Sequence, residues 1–408
     1  MAVGLALGLA VLPAAAQTPP TRVLGEQALV DIAVGAAILC TRGADTASLI
    51  GRLRAASREG LVFRLIALED VPDGWLGFTS FTVGGAGAWP HVTDRMARET
   101  IIETPPEPGV VLGRHLDKTF ATTFQAEAGG ATVAALITGA RMGVPTIDAC
   151  PSGRCLPEVQ MSPFMLSGIG RAPLAAVTSY GDVVVIDKSR DDYRAEDLLR
   201  GLAVASGGRV KVAANALDGR VLKKHLIPGF VSRSERLGRA AREAVEAGTD
   251  PVEAVRKAGD GYLLFRGVVT RSDSRGERGF GVTEAEFRGV GVFAGSRYRI
   301  FNKNENLVAW RDGKLDAAAP DLISALDPRT GWAIRGGTII GSFVVGEEVS
   351  IVGFASHPIW RAPAAVELLS PRRWGFAEDW TPIEQLHDAA PQSERTTTTA
   401  ERHTRWPK

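Results

Sequence analysis

A change of pattern at Gly261 constrains this chain more than any other feature of its sequence. Before it, runs of strand length alternate with stretches of helical spacing. GEQALVDIAVGAAILCTRG puts Leu29, Ile32, Ala33 and Ala36 on one face and predicts a helix ending between Cys40 and Gly43. TASLIGRLRAASREG predicts a second helix, with Leu49 and Leu53 aligned and Gly60 as its stop. Val62 to Leu68 and Gly77 to Gly85 predict strands. ATVAALITGARM predicts a helix, then a turn at Gly143-Val144-Pro145 and a short strand ending at Asp148. GDVVVID, RAEDLLRGLAVASGG and RVKVAAN add a strand, a helix and a strand, and SERLGRAAREAVEAG and DPVEAVRKAG two more helices. Strands alternating with helices predict an α/β fold with a mixed sheet.

From Tyr262 the helical spacing disappears. Short alternating runs are split by Gly and Asn clusters, and Asp312-Gly313 signals a hairpin. GSFVVGEEVSIVGFA predicts a closing pair of strands. The expected organisation is a mixed-sheet α/β domain over 22–260, with the loop-rich return over 356–380 as its candidate completion. A smaller all-β, barrel-like domain covers 262–355. From 387 to 408 the chain is polar, with Thr396 to Thr399 in a row, and reads as a disordered tail.

At 408 residues and 45% apolar, the chain can bury one large or two ordinary cores. Its net charge of +1, with both signs interspersed, excludes the electrostatic footprint of a nucleic-acid or anionic-membrane binder. Residues 1–20 read as a secretory leader: an apolar run, then Ala14-Ala15-Ala16 before Gln17, although no Lys or Arg precedes Arg22. The run is too short for a stable membrane span, so it points to export. Three cysteines are an odd count. In an exported chain Cys150 and Cys155 could close a loop disulfide, leaving Cys40 free.

The densest chemistry lies in DACPSGRCLPEVQM, 148–161. Asp148 stands at a strand end, where α/β proteins place ligands. Arg154, Glu158 and Gln160 follow on the loop, a set that can orient a planar polar substrate or hold a water for proton transfer. The competing reading is a self-satisfied loop, with Arg154 capping carbonyls and pairing Glu158. Cys150 and Cys155 could instead supply thiolates to a metal, although structural zinc favours tighter cysteine pairs and a second pair elsewhere. In QAEAGG, Glu127 precedes Gly129 and Gly130, whose bare backbone can open a helix towards an anionic or carbonyl ligand. Equally, a glutamate there favours the helix dipole. Asn304, Glu305 and Asn306 sit in NKNENL, either a plain hairpin tip or a barrel edge turned towards the α/β domain. His115 and His357 read as structural. No nucleophile elbow, Walker loop, zincin motif or dinucleotide fingerprint is present.

DIAVGAAIL, EAGG, the 148–161 loop, LIPGFVS, NENLVAWRDG, PDLI, IWRAP and PRRWGF follow one another in a single order. In that combination the chain resembles the S-methyl thiohydantoin desulfurase family, over residues 25 to 380. The resemblance implies an α/β N-terminal domain carrying a small β-barrel, a cytoplasmic location, and hydrolysis of an S-methyl thiohydantoin to a hydantoin with loss of methanethiol. It implies Asp148, Glu158 and Glu127 as base candidates. Arg154, Gln160, Gly129 and Gly130 would hold the ring, and Asn304, Glu305 and Asn306 would close the site from the barrel. A divalent metal is the implied cofactor candidate, with Asp148, Cys150 and Glu158 as its candidate ligands, and a small molecule is the implied substrate. The alternative from another class is a non-catalytic protein that binds a small heterocycle, or docks as an accessory subunit on a hydantoinase- or oxoprolinase-like partner. Either is compatible with a homo-oligomer. Three departures stand out. LCTRGADT replaces a glycine-rich loop, with Cys40, Arg42, Ala44 and Asp45 at glycine places. Thr132 replaces an asparagine, and Cys150 replaces a second aspartate.

Overall fold

The computed structural model describes residues 19–41, 45–84, 105–334 and 342–388. The predicted leader up to Thr18, Arg42 and Ala44 of the altered loop, and the tail beyond Asp388 lie outside the described residues.

Two sheets dominate the molecule. The first contains β1 (Arg22–Val23), β2 (Arg64–Ile66), β3 (Leu76–Gly84), β4 (Thr122–Gln125), β5 (Thr146–Ile147), β7 (Leu174–Val177), β8 (Val183–Ile186) and β9 (Arg209–Asp218). Their order is β1-β2-β5-β4-β3-β9-β7-β8. The β2–β5, β5–β4 and β4–β3 pairs are parallel and the other pairs antiparallel, so the sheet is mixed as the alternation of elements predicts. The short β6 (Ala149–Cys150) leaves this sheet and pairs with β10 (Ile227–Pro228).

The second sheet contains β11 (Tyr262–Glu277), β12 (Phe280–Gly289), β13 (Arg297–Lys303), β14 (Glu305–Arg311), β15 (Lys314–Ala318), β16 (Leu322–Leu326) and β17 (Glu348–Phe354). All its pairs are antiparallel, in the order β15-β14-β13-β12-β11-β17-β16, and it curls into a half-barrel. The chain is thus α/β with a second, all-β sheet. Of the predicted closing strand pair, β17 is the strand among the described residues, because Ser342 to Val344 take no ladder. The 356–380 return is less irregular than its sequence suggests. It holds a helix at Pro363–Leu369, and Trp360, Ala365, Leu369 and Phe376 pack with Leu156, Leu307 and Trp310. Helices at Pro108–Leu116 and Gly219–His225 carry no clear periodicity and were not expected.

The helix Glu26–Leu39 is apolar on nearly every side, which is the composition of a helix enclosed by other elements. It crosses the amphipathic helix Phe230–Glu246 at a contact only glycine permits. A Cβ on Gly35 would sit 1.8 Å from the carbonyl oxygen of Ser234, and one on Gly238 would sit 1.9 Å from that of Asp31. Leu322, Leu326, Val352 and Phe354 of the half-barrel join the same buried cluster as Ile38, Leu39, Val231 and Leu237. The two sheets therefore share one apolar core through these helices. Among the described residues no helix is long and apolar enough to cross a membrane.

Backbone cannot yield as a side chain does, so overpacking here has no cheap relief. Gly238→Ala is expected to lower stability by about 2 kcal/mol or more in chemical denaturation. Gly51→Ala, where a Cβ meets nothing within 4 Å, is expected to be neutral or mildly stabilising.

Candidate functional site

The 148–161 loop runs between the two sheets, and its residues separate into two groups. The first group holds the structure together. The Asp148 carboxylate accepts the backbone N–H groups of Val231 and Ser232 at 2.7 and 3.0 Å and also the Ser232 hydroxyl. Those N–H groups open the Phe230–Glu246 helix, so Asp148 caps a helix that begins far away in sequence.

Arg154 is fully buried. Its guanidinium donates to the carbonyls of Cys155, Pro320 and Asp321, and it lies 3.7 Å from the Glu305 carboxylate. Burial pulls its pKa down and Glu305 and Asp321 pull it back up. The proposed pairing of Arg154 with Glu158 does not form; its acidic neighbour is Glu305.

Asn304, Glu305 and Asn306 form a hairpin tip that is also turned into the α/β half. Asn304, at φ +57°, donates to Pro157 O at 3.0 Å and accepts Gly281 N–H. Glu305 accepts the Thr41 hydroxyl at 2.7 Å, and Asn306 donates to Ile323 O. All three are buried.

Cys40 and Cys155 form a disulfide across 115 residues, and Cys150 is the free, buried cysteine. The Cys150–Cys155 loop that the sequence left open does not form. Gly129, at φ +67°, passes so close that a Cβ would lie 2.5 Å from Cys40 Sγ. Cys40 thus fills space beside the glycine pair, where the family pattern has a glycine. Burial pushes the Cys150 thiol up to about 11, and its Sγ lies 3.4 Å from the Ser152 hydroxyl. Asp148, Cys150 and Glu158 do not converge. Among the described residues the group close enough to share a metal is Cys40, Cys155 and Glu305, whose two sulfurs are bonded to each other. The expected metal set does not fit.

The second group faces a cleft. Glu158 and Gln160 line a cavity of about 710 Å³ between the Asp192–Ala205 helix, strands β12 and β13, and the C-terminal return. Gln160 Nε2 donates to Glu158, whose other oxygen meets the Lys303 ammonium. Gln160 Oε1 is buried without a hydrogen-bond donor. Lys303 lies 4.4 Å from the Phe280 ring centroid and 5.2 Å from that of Trp374. Arg200 stacks on Phe280 at 4.4 Å and pairs with Glu196. A narrow gap of about 40 Å³ adjoins the cleft through Glu158 and Arg200, and Glu127, Arg171 and Asn304 line it. Arg171 is buried, donates to Asn215 and Val159, and leaves Nε unpartnered. Glu127 accepts Leu156 N–H at 2.7 Å. Gly129 and Gly130 begin the Gly130–Met142 helix as expected, away from Glu158 and Gln160.

Two family models cover this arrangement. The S-Me-THD-like N-terminal domain matches residues 27–188 and the S-Me-THD-like C-terminal domain matches residues 190–383. The chain belongs to the S-Me-THD-like family. A crystal structure of a protein from Chromobacterium violaceum, a structural-genomics target, resembles this S-Me-THD-like chain with a TM-score of 0.69 at 20% identity. The match covers 89% of this chain and 100% of that one, and the likeness is one of fold. No curated protein matches significantly. Lys303, Arg200, Phe280 and Trp374 escape sequence reading because four separate segments bring them together, and no local spacing marks them.

Three outcomes follow for the S-Me-THD-like loop. Peptide mapping without reduction is expected to recover Cys40 linked to Cys155, with Cys150 alkylated only after unfolding. Replacing both linked cysteines with serine is expected to cost about 4 kcal/mol of stability, the scale for a loop this long. Asp148→Ala is expected to cost about 1–2 kcal/mol by loss of the cap while ligand binding in the cleft persists.

Proposed function

We propose that this protein binds a flat five-membered cyclic amide of the thiohydantoin or hydantoin class in the cleft between its sheets, and hydrolyses it there. The observation that carries this reading is the convergence of Glu158, Gln160 and Lys303 on one aromatic-walled cavity. Its volume of about 710 Å³ lies within the range of small-molecule sites. Trp374 offers an aromatic face to a planar ring, while Phe280 backs the Lys303 and Arg200 cations. Gln160 Oε1 lacks a donor just beneath the cleft wall, and a turn of its side chain would present it to the ring N–H of a cyclic amide.

The chemistry assigned to these groups is water attack on the ring carbon that carries sulfur. Glu158 takes the proton of the attacking water as the C–O bond forms. A carboxylate has about four lone-pair positions, so contacts to Gln160 and Lys303 leave room for that proton. The Lys303 ammonium offsets the negative charge that builds on the ring nitrogen. The C–S bond then breaks, and methanethiolate leaves with a proton. No step needs a metal. Of the three acids implied by the resemblance, Glu158 is the one assigned the base role.

The second reading is a heterocycle binder or accessory subunit without catalysis. It is favoured by the commitment of Asp148 to a helix cap and by the Cys40–Cys155 bond packed against Gly129. That bond also supports an exported protein over the cytoplasmic location implied by the family, since disulfides persist in oxidising compartments.

Purified protein is to be assayed for methanethiol release and for binding with S-methyl thiohydantoins and hydantoins. Glu158→Gln is expected to keep binding and lose about 10²–10⁴-fold in turnover. Wild-type binding without turnover would move the assignment to the second reading. A panel with neither binding nor turnover would overturn both.

A further inference from the structure

A second cavity, of about 460 Å³, opens at the N-terminal end of the Gly130–Met142 helix. Glu158, Gln160 and Lys303 do not line it. Three cations do: Arg52 from the Thr46–Arg58 helix, and Arg209 and Lys211 from β9. Glu127 is the acid on its lining. None of the three cations has an ion-pair or side-chain hydrogen-bond partner among the described residues. The contrast with their neighbour Arg141 is clear, since Arg141 pairs with Glu59 and Glu107. That pairing also occupies the Glu107 carboxylate, which accepts the Thr138 hydroxyl as well.

The cations crowd one another. Lys211, half-buried, is pulled below the usual lysine range first by burial, and Arg141 and Arg52 push it further against the pull of Glu107. Arg52 keeps part of its side chain exposed, yet its surroundings and then Arg209 and Arg141 lower it too. Unpaired like charges held together on a cavity wall are stabilised when an anion binds between them.

The backbone of the cavity suits the same ligand. Gly130 and Ala131 line it at the first turn of a 13-residue helix that no side chain caps. A Cβ at Gly130 would meet nothing within 4 Å, so the approach to these N–H groups is open. Gly84 and Gly208 also line the wall with bare backbone. Helix N-termini of this kind add favourable N–H donors and a positive dipole end to an anion site.

We propose that this cavity binds a small dianion, a phosphate monoester or a dicarboxylate, held by Arg52, Arg209 and Lys211 with oxygens facing the Gly130 and Ala131 amides. Among the described residues the lining carries three cations and one carboxylate, and a dianion balances that excess of positive charge. The site is separate from the cleft and does not depend on its reading.

The test uses the full chain and isothermal titration with three probes: inorganic phosphate, glycerol phosphate and malonate. At least one is expected to bind with one-to-one stoichiometry, and the phosphate and malonate arms decide which dianion class is preferred. Arg52→Gln and Lys211→Gln are each expected to weaken binding about tenfold or more, the scale of one charge-assisted hydrogen bond. Lys257→Gln, on a distant exposed ion pair, is expected to leave it unchanged. Arg52 lies on an exposed helix face, so its variant remains informative if Lys211→Gln misfolds. Absence of binding by all three probes, equal affinity in both variants, or equal displacement by chloride at matched concentration would overturn the proposal. Cyclic-amide binding in the cleft is expected to be the same in Arg52→Gln as in wild type.

Discussion

A buried arginine without its acceptors would be intolerable, and the organisation of this molecule follows from satisfying one. Arg154 has no access to water. Its donors reach the carbonyls of Cys155 on its own loop and of Pro320 and Asp321 on the half-barrel side, with Glu305 as the nearby counter-charge. Removing one partner of such a buried pair costs far more than an exposed ion pair returns. The 148–161 loop is therefore fixed against both sheets. Trp360 adds a hydrogen bond to Ser152 O at 2.6 Å, and Asn304 holds Pro157 O. Asp321 is itself held by Ser356 N–H, Trp380 Nε1 and Ile383 N–H, while burial pushes its carboxyl up.

This clamp decides where the C-terminal part of the loop goes. With Arg154 and Pro157 anchored, Glu158 and Gln160 emerge at the cleft opposite Lys303. The α/β half supplies the carboxylate and the amide, the half-barrel supplies the ammonium and one aromatic face, and the C-terminal return supplies Trp374. The sulfur bridge between Cys40 and Cys155 ties the C-terminal end of the first helix to the same loop right beside Arg154. Neither sheet alone contains the site.

Much of the fold was legible because it rests on local periodicity. The mixed sheet followed from alternating elements, the Gly129-Gly130 helix start from its glycines, and the Asp312-Gly313 hairpin from turn chemistry. The tip at Asn304 was readable as either a turn or an inward edge, and it is both. The site was much less legible. The helix cap that Asp148 provides was not legible because its partners, Val231 and Ser232, lie 83 and 84 positions away. Cys155 pairs with the cysteine farthest from it, which no spacing rule indicates. Arg154 and Glu305 carry charge and therefore look functional, whereas burial makes them the polar fastening between the halves. Lys303 stands inside NKNENL, next to the three residues singled out there, and its pairing with Glu158 spans 145 residues that no local spacing links.

The most direct test of the account is a crystal structure of the full chain with a hydantoin bound. The account predicts the ring in the cleft beside Phe280 and Trp374, with its N–H on Gln160 Oε1 and the Glu158 carboxylate accepting from a water beside the ring. A ring bound instead at Asp148, or against the Cys40–Cys155 bond with the cleft empty, would contradict it.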